Sequence, residues 1–271
     1  MTILVTGGTG LVGTRLLPRL VETGIDCRAL VRAGKTVPSG VTMVEGDVLD
    51  PASLVKAVKG IKVIIHLAAI LRTAESGKIW SVNVDGTRNL IAAAREHAAD
   101  ARFIMASTGL VYDENSPRPS LENDRVAPER DYPASKVAAE KLLQESGLKW
   151  SILRFGFVYG EADGHIGQIP RIAQLLRLHP ANRLSMIHHR DVATLAMMSL
   201  DGILDGRIVN AVDDAPMTIL ELSAIAGKPM DTAATPLTHP WSGVLDGSLA
   251  RSLGFKPEVA TTWQAARENA L

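Results

Sequence analysis

Thr6-Gly7-Gly8-Thr9-Gly10-Leu11-Val12-Gly13 lies between a short β-branched run, Ile3–Val5, and a segment of helical periodicity, Leu11–Glu22. The three glycines at this junction have separate geometric uses. Gly7 permits a tight turn out of the strand, Gly10 lets backbone approach a pyrophosphate, and Gly13 lets helix pack closely on strand. The helix start at Leu11 and Val12 presents N–H groups and a partial positive charge to phosphate oxygens. Glycine triplets also occur in strand-to-helix turns that bind nothing. Placed at the first such junction of an alternating chain, the triplet reads as a dinucleotide site.

The alternation continues outward from that turn. Apolar runs at Cys27–Val31, Val41–Val44, Val63–Leu67, Phe103–Ala106 and Ser151–Leu153 read as strands, several of them apolar almost throughout, as in a sheet covered on both faces. Between them, Pro51–Val58, Trp80–Ala98 and Pro133–Glu145 read as helices. Such a rhythm predicts a doubly wound α/β fold of Rossmann type, with a parallel sheet and right-handed crossovers. After Leu153 the pattern loosens. Pro170–Leu178, Val192–Leu200 and Ile219–Ala226 read as helices, Ile208–Asn210 as a strand, and residues 227–245 as irregular. The expectation is a nucleotide-binding domain over residues 1–155 and a small C-terminal substrate-binding part over 156–271, interleaved with the first.

The chain has 271 residues, 29 Lys and Arg against 29 Asp and Glu, and one cysteine. Balanced charge without long like-charged blocks argues against a nucleic-acid surface or a polybasic membrane patch. Cys27 has no internal partner for a disulfide, so a reducing compartment is expected. No signal-peptide pattern precedes Ile3 and no run approaches the ~18 apolar residues of a spanning helix. A cytoplasmic protein follows as the expectation, with a small molecule as its partner and neither nucleic acid nor membrane.

There are only three tyrosines. In Tyr132-Pro133-Ala134-Ser135-Lys136, the proline suits the first turn of a helix, which puts Lys136 one turn after Tyr132 on the same face. A phenol with a free pKa of about 10 is a poor acid/base at neutral pH, and a nearby ammonium, with the positive ring of an oxidised dinucleotide, would bring that value down. The other tyrosines serve as controls within the chain: at the same spacing Tyr112 is followed by Ser116 and Tyr159 by Asp163.

The glycine spacing, Gly-x-x-Gly-x-x-Gly, together with this Tyr-x-x-x-Lys pair, resembles the extended branch of the short-chain dehydrogenase/reductase superfamily, the epimerase/dehydratase-like proteins. Phe103-Ile104-Met105-Ala106-Ser107-Thr108-Gly109-Leu110-Val111-Tyr112 resembles the family segment ending in Val-Tyr. Counting back from that pair places the catalytic hydroxyl on Thr108, with Ser107 before it as a cofactor contact. The resemblance implies that Thr108 hydrogen-bonds the substrate oxygen, that Tyr132 gives or takes its proton, and that Lys136 holds the nicotinamide ribose and tunes Tyr132. Gly46-Asp47-Val48 resembles the adenine contact and Leu67-Ala68-Ala69 the small-residue wall at the cofactor ribose. Asn83-Val84-Asp85-Gly86-Thr87-Arg88-Asn89-Leu90 resembles the fourth-helix signature, with Asn83 facing the site. Leu153-Arg154-Phe155-Gly156 resembles the segment passing the nicotinamide, with Phe155 in place of the usual proline.

The second strand decides the cofactor expectation. An acid at its end binds the adenosine ribose in NAD-specific folds. Here that position is Val31, followed by Arg32, whose guanidinium would suit the 2′-phosphate of NADP. NADP is favoured and NAD is the alternative. No metal is expected, because the adjacent His188 and His189 have no acid or cysteine cluster to complete a site.

Departures from the family pattern narrow the reaction. Dehydratases carry Asp-Glu after the catalytic threonine, whereas Gly109-Leu110 follow Thr108. Nucleotide-sugar epimerases place an arginine where this chain has Leu184, with Arg183 beside it, and another before the segment matched to Asp246-Gly247-Ser248, where His239–Leu245 has none. The expectation is therefore an NAD(P)-dependent oxidoreductase acting on a carbonyl or alcohol. The alternatives are a nucleotide-sugar 4-epimerase with tightly bound NAD, and a dinucleotide-sensing protein without catalysis. The family pairs helices equivalent to Trp80–Ala98 and Pro133–Glu145 across a dimer interface, so a homodimer is expected.

Overall fold

The computed structural model describes residues 1–271, which divide into two compact units. The first comprises residues 1–111, 128–153 and 196–208, and the second 112–127, 154–195 and 209–271. The chain thus passes from one unit to the other several times rather than at a single boundary.

The first unit is built on a seven-stranded sheet. Its strands are β1 (Thr2–Thr6), β2 (Asp26–Val31), β3 (Val41–Glu45), β4 (Val63–His66), β5 (Arg102–Thr108), β6 (Lys149–Phe155) and β10 (Arg207–Ala211), in the spatial order β10-β6-β5-β4-β1-β2-β3. The pairs β1–β2, β2–β3, β1–β4 and β4–β5 run parallel. After β1 the chain builds outward through β2 and β3, then returns to the other side of β1 for β4, so the strand order reverses at β1. Ligands of open parallel sheets bind at that reversal, outside the carboxyl ends of the strands. The helices α1 (Gly13–Glu22), α2 (Pro51–Val58), α4 (Gly86–His97) and α5 (Asp131–Gln144) connect the strands. Leu4, Leu30, Ile64, Leu90, Phe103, Leu143 and Ile152 meet in one buried apolar cluster. This is the doubly wound Rossmann-type fold that the alternation predicts.

Two differences from the expected elements have physical causes. Val41–Val44 is as apolar as an inner strand, but β3 lies at the sheet edge and only Val44 is buried. The helix expected over Trp80–Ala98 is interrupted. A short turn, α3 (Lys78–Trp80), leads into a π-helical turn at Ser81–Asp85 before α4 begins. Such widened turns concentrate at functional sites, and this one carries Asn83, whose amide is turned inward into hydrogen bonds.

The second unit has its own core, in which Tyr159, Ile166, Met186, Ile219, Leu222 and Val259 are buried together. Its strands β7 (Phe157–Tyr159) and β9 (Met186–His188) pair in parallel, and β8 (Arg183–Leu184) pairs antiparallel with β11 (Met217–Thr218). The two adjacent histidines are packing groups. His188 Nε2 contacts the Ala270 carbonyl at 2.9 Å and its ring meets Tyr159 edge-on, while His189 Nε2 lies 2.9 Å from a buried Asp163 oxygen. No helix is long and apolar enough to cross a membrane.

Candidate active site

The parallel register sets the carboxyl ends of three strands side by side. Thr6 pairs with His66, and His66 with Met105, so β5 runs on past its neighbour through Ala106 and Ser107 to Thr108 at its tip. The glycine turn leaves β1 at the same level. Gly7 has a φ of +73°, and a side chain there would put its Cβ 2.6 Å from the Ala68 nitrogen. A Cβ on Gly13 would collide with the Gly7 carbonyl oxygen and lie 2.6 Å from Gly8 Cα. Gly10 is different: only the Gly7 oxygen, at 3.2 Å, lies near its hypothetical Cβ. Gly7 and Gly13 are thus dictated by the protein's own packing, whereas Gly10 keeps open the approach that a pyrophosphate needs. The N-terminus of α1 has no side-chain cap and no acid in its first turn. Its positive end is therefore available to an anion. Gly7, Gly10, Leu11, Val12 and Gly13 together fit the phosphates of a dinucleotide.

The flanking positions line up along the same strand ends. Arg32 is exposed directly after β2. Asp47 is shaped by a local turn, its Oδ1 accepting from the Leu49 N–H at 2.9 Å and its own N–H donating to Ser53. Val48 is buried and bounds the close approach of Gly86. Leu67 and Ala68 are half-buried against Gly7, and Ala69 is exposed. Phe155, the last residue of β6, is buried in the second unit.

Sequence reasoning missed a hydrogen-bonded relay beneath the glycine turn. Thr87 Oγ1 donates to the Asn83 carbonyl at 2.7 Å, so it accepts from His66 Nε2–H at 2.9 Å. His66 Nδ1 then accepts from the Thr6 hydroxyl at 2.7 Å, and Thr6 Oγ1 receives the Ala68 N–H at 3.4 Å. The relay runs in one direction only with a neutral imidazole. Burial and the nearby Lys136 charge hold the His66 pKa down at about 3. The one signal in the sequence was a histidine ending an otherwise apolar strand.

A second network fixes the start of α5. Asn83 is buried, exchanges two hydrogen bonds with the Ile70 backbone, and donates to Ser135 Oγ at 2.9 Å. Ser135 in turn donates to the Tyr132 carbonyl at 2.7 Å. Both amide hydrogens of Asn83 are therefore engaged within the protein, clamping residue 70 and the first turn of α5.

Tyr132 and Lys136 stand one turn apart on α5, and Lys136 is almost wholly buried. Burial pulls the ammonium down to about 8, opposed by the attraction of Glu140. Glu140 is another turn along, buried, and accepts from the Ser107 hydroxyl, the residue before Thr108. Thr108 Oγ1 receives the Leu110 N–H at 3.2 Å. The sequence leads one to expect Lys136 and the ring of an oxidised cofactor together to bring Tyr132 into range; the free protein holds only the first of these. There, desolvation raises the phenol to about 12. Ser107, expected against the cofactor, spends its hydroxyl hydrogen on Glu140.

The sheet reversal, the glycine turn and the open helix N-terminus define a Rossmann-type dinucleotide-binding protein. More particularly, the NAD dependent epimerase/dehydratase family matches residues 3–211, and the chain belongs to that family. A ceramide reductase of Caulobacter vibrioides is 33% identical over 199 residues, covering 70% of this chain and 58% of that protein. The chain spans about half the length of the first curated relatives it matches. Among solved structures, a short-chain dehydrogenase/reductase superfamily protein from Agrobacterium tumefaciens with bound NAD is 26% identical with a TM-score of 0.79, covering 99% of this chain and 95% of that one. UDP-glucose 4-epimerase of Thermus thermophilus, in complex with NAD, is also 26% identical with a TM-score of 0.79, covering 98% and 97%.

The relay makes stability depend on pH. His66 binds no proton in the folded protein until about pH 3, whereas an unfolded histidine takes one near 6.5. Its contribution is full above 6.5 and is lost as pH falls towards 3. His66→Leu should lower the unfolding free energy at pH 7 by about 1–3 kcal/mol, the cost of two buried hydroxyls without the ring, and flatten the decline between pH 6.5 and 4. Urea denaturation across that range checks it, and a variant with the wild-type pH slope would contradict it.

Proposed function

We propose that the chain is an oxidoreductase of the extended short-chain type that interconverts a carbonyl and an alcohol, using NADP in preference to NAD and Tyr132 as the acid/base. The observation that carries this reading is the pairing of Tyr132 with a buried Lys136, on the helix bonded through Glu140 and Ser107 to the strand that ends in Thr108. A bound nicotinamide dinucleotide supplies or accepts the hydride. Thr108 orients the substrate oxygen by hydrogen bonding, and the Tyr132 hydroxyl delivers its proton to that oxygen in reduction, while in oxidation the Tyr132 phenolate takes the alcohol proton. The Lys136 ammonium holds the ribose hydroxyls and favours the phenolate. Gly7, Gly10, Leu11, Val12 and Gly13 take the pyrophosphate, Asp47 and Val48 border the adenine, and Ala68 and Ala69 border the ribose.

Two observations support a substrate with an apolar body over a diphosphate sugar. Leu71 and Leu110 are large apolar side chains left 47% and 55% exposed, Leu71 next to the residue clamped by Asn83 and Leu110 two residues after Thr108. Arg183, nearest to the family's diphosphate position, is already engaged: its guanidinium lies 4.6 Å from the Trp241 ring centroid and donates to the Pro240 carbonyl. The ceramide reductase among the relatives is named for a lipid substrate.

Tyr132→Phe should lower turnover of long-chain or alicyclic ketones at least about 10²-fold while cofactor affinity stays within about twofold. Unchanged turnover would refute the assignment. Tightly retained NAD in the purified protein, with epimerisation and no net oxidation, would favour a sugar epimerase instead. Fluorescence titration should show NADPH binding more tightly than NADH, with Arg32→Ala weakening NADPH about tenfold and leaving NADH nearly unchanged. Tighter binding of NADH by the wild-type protein would contradict the NADP preference.

A further inference from the structure

Lys136, Glu140 and Ser107 form a buried polar group that the mechanism above uses only at one end. Lys136 and Glu140 expose 2% and 3% of their surface, and they are spaced i and i+4 on α5. That spacing puts the two side chains on one face, where opposite charges attract. A buried ammonium without a counter-charge loses its proton more readily than it tolerates the low dielectric. The groups facing Lys136 are His66 at the end of β4, Tyr132 one turn before it, and Glu140 one turn after it. His66 is neutral at working pH and Tyr132 is un-ionised in the free protein, so the opposing charge from these groups is that of Glu140. The same carboxylate accepts from the Ser107 hydroxyl, and Ser107 is bonded in sequence to Thr108. One side chain on α5 therefore reaches both halves of the site, the helix with its acid/base pair and the strand tip with its hydroxyl.

We propose that Glu140 is a positioning residue of this site, keeping Lys136 charged in a dry environment and fixing Ser107 so that Thr108 and Tyr132 address the same oxygen. The inference rests on the reading of Tyr132 and Lys136 as the acid/base pair. Glu140 touches neither substrate nor cofactor in this account. Its effect passes through the lysine charge and through the end of β5. Replacing it should change the pH at which the site works, whereas a residue serving the core alone would change stability and leave the pH dependence where it was.

The test is Glu140→Gln, which keeps the length and an acceptor for Ser107 but removes the charge. The protein is labelled with ¹³Cε-lysine and titrated by NMR, with Lys136→Arg identifying the resonance. The Lys136 midpoint should fall by about one pH unit or more in the variant, and the acid limb of the alcohol-oxidation profile should move to higher pH. An unchanged Lys136 midpoint in folded Glu140→Gln overturns the proposal. Should that variant not fold, Glu140→Asp keeps the charge but draws it back by one methylene. A smaller fall of the midpoint with Asp then supports the proposal, and no fall overturns it. The titration needs no turnover: a shifted midpoint in a protein whose wild type reduces no carbonyl would uphold Glu140 and refute the oxidoreductase reading instead.

Discussion

An ammonium group with almost no exposure to water has to be held by its surroundings, and Lys136 is such a group. Burial works against its charge and Glu140 works for it. Removing one partner of such a pair leaves a charge buried without compensation, which is far more damaging than never having had the pair. The arrangement therefore constrains everything around it. Glu140 must stand one turn after Lys136, α5 must lie against β5 closely enough for Ser107 to reach the carboxylate, and β5 must extend past β4 so that Thr108 comes out at its tip. The placing of Thr108 and Tyr132 follows from satisfying one buried charge.

The other constraint comes from the sheet reversal. A chain that turns sharply between β1 and α1 while β4 ends beside it leaves no room for side chains at Gly7 or Gly13. The hydroxyls of Thr6 and Thr87, with a neutral His66 between them, carry hydrogen bonds from the wall at Ala68 to the π turn at Asn83. Asn83 continues inward to Ser135 and the Tyr132 carbonyl. The glycine turn and the first turn of α5 are thus joined by a chain of directional bonds, the kind of preorganised support that the proposed reaction would need.

Much of this was legible in the residues. The glycine triplet, the alternating strands and the one tyrosine with a lysine four residues on announce themselves through local spacing, and the structure places each on the expected element. What escaped was whatever depends on partners distant in the chain. Thr6 and His66 are sixty positions apart, and Ser107 and Glu140 thirty-three, so no period in the sequence marks them. Nothing in the local sequence marks Glu140 as buried. The hydrogens of Asn83 and Ser107 are spent within the protein, which only atomic contacts show. The edge position of β3 depends on the order of strands rather than on the composition of any one. Tyr132 is the instructive case: a lowered phenol was expected from the lysine and the cofactor ring together, and in the free protein burial raises it.

Burial keeps Tyr132 protonated in the free protein, and under the proposed function the positive ring of an oxidised cofactor, added to Lys136, would make the phenolate accessible. The direct measurement is an ultraviolet difference titration of tyrosine ionisation, with the Tyr132→Phe protein subtracted, in the absence and presence of saturating oxidised cofactor. The account predicts a midpoint near 12 without cofactor and one lower by about two pH units or more with it. A midpoint that does not move when the cofactor binds would contradict the assignment of Tyr132 as the acid/base.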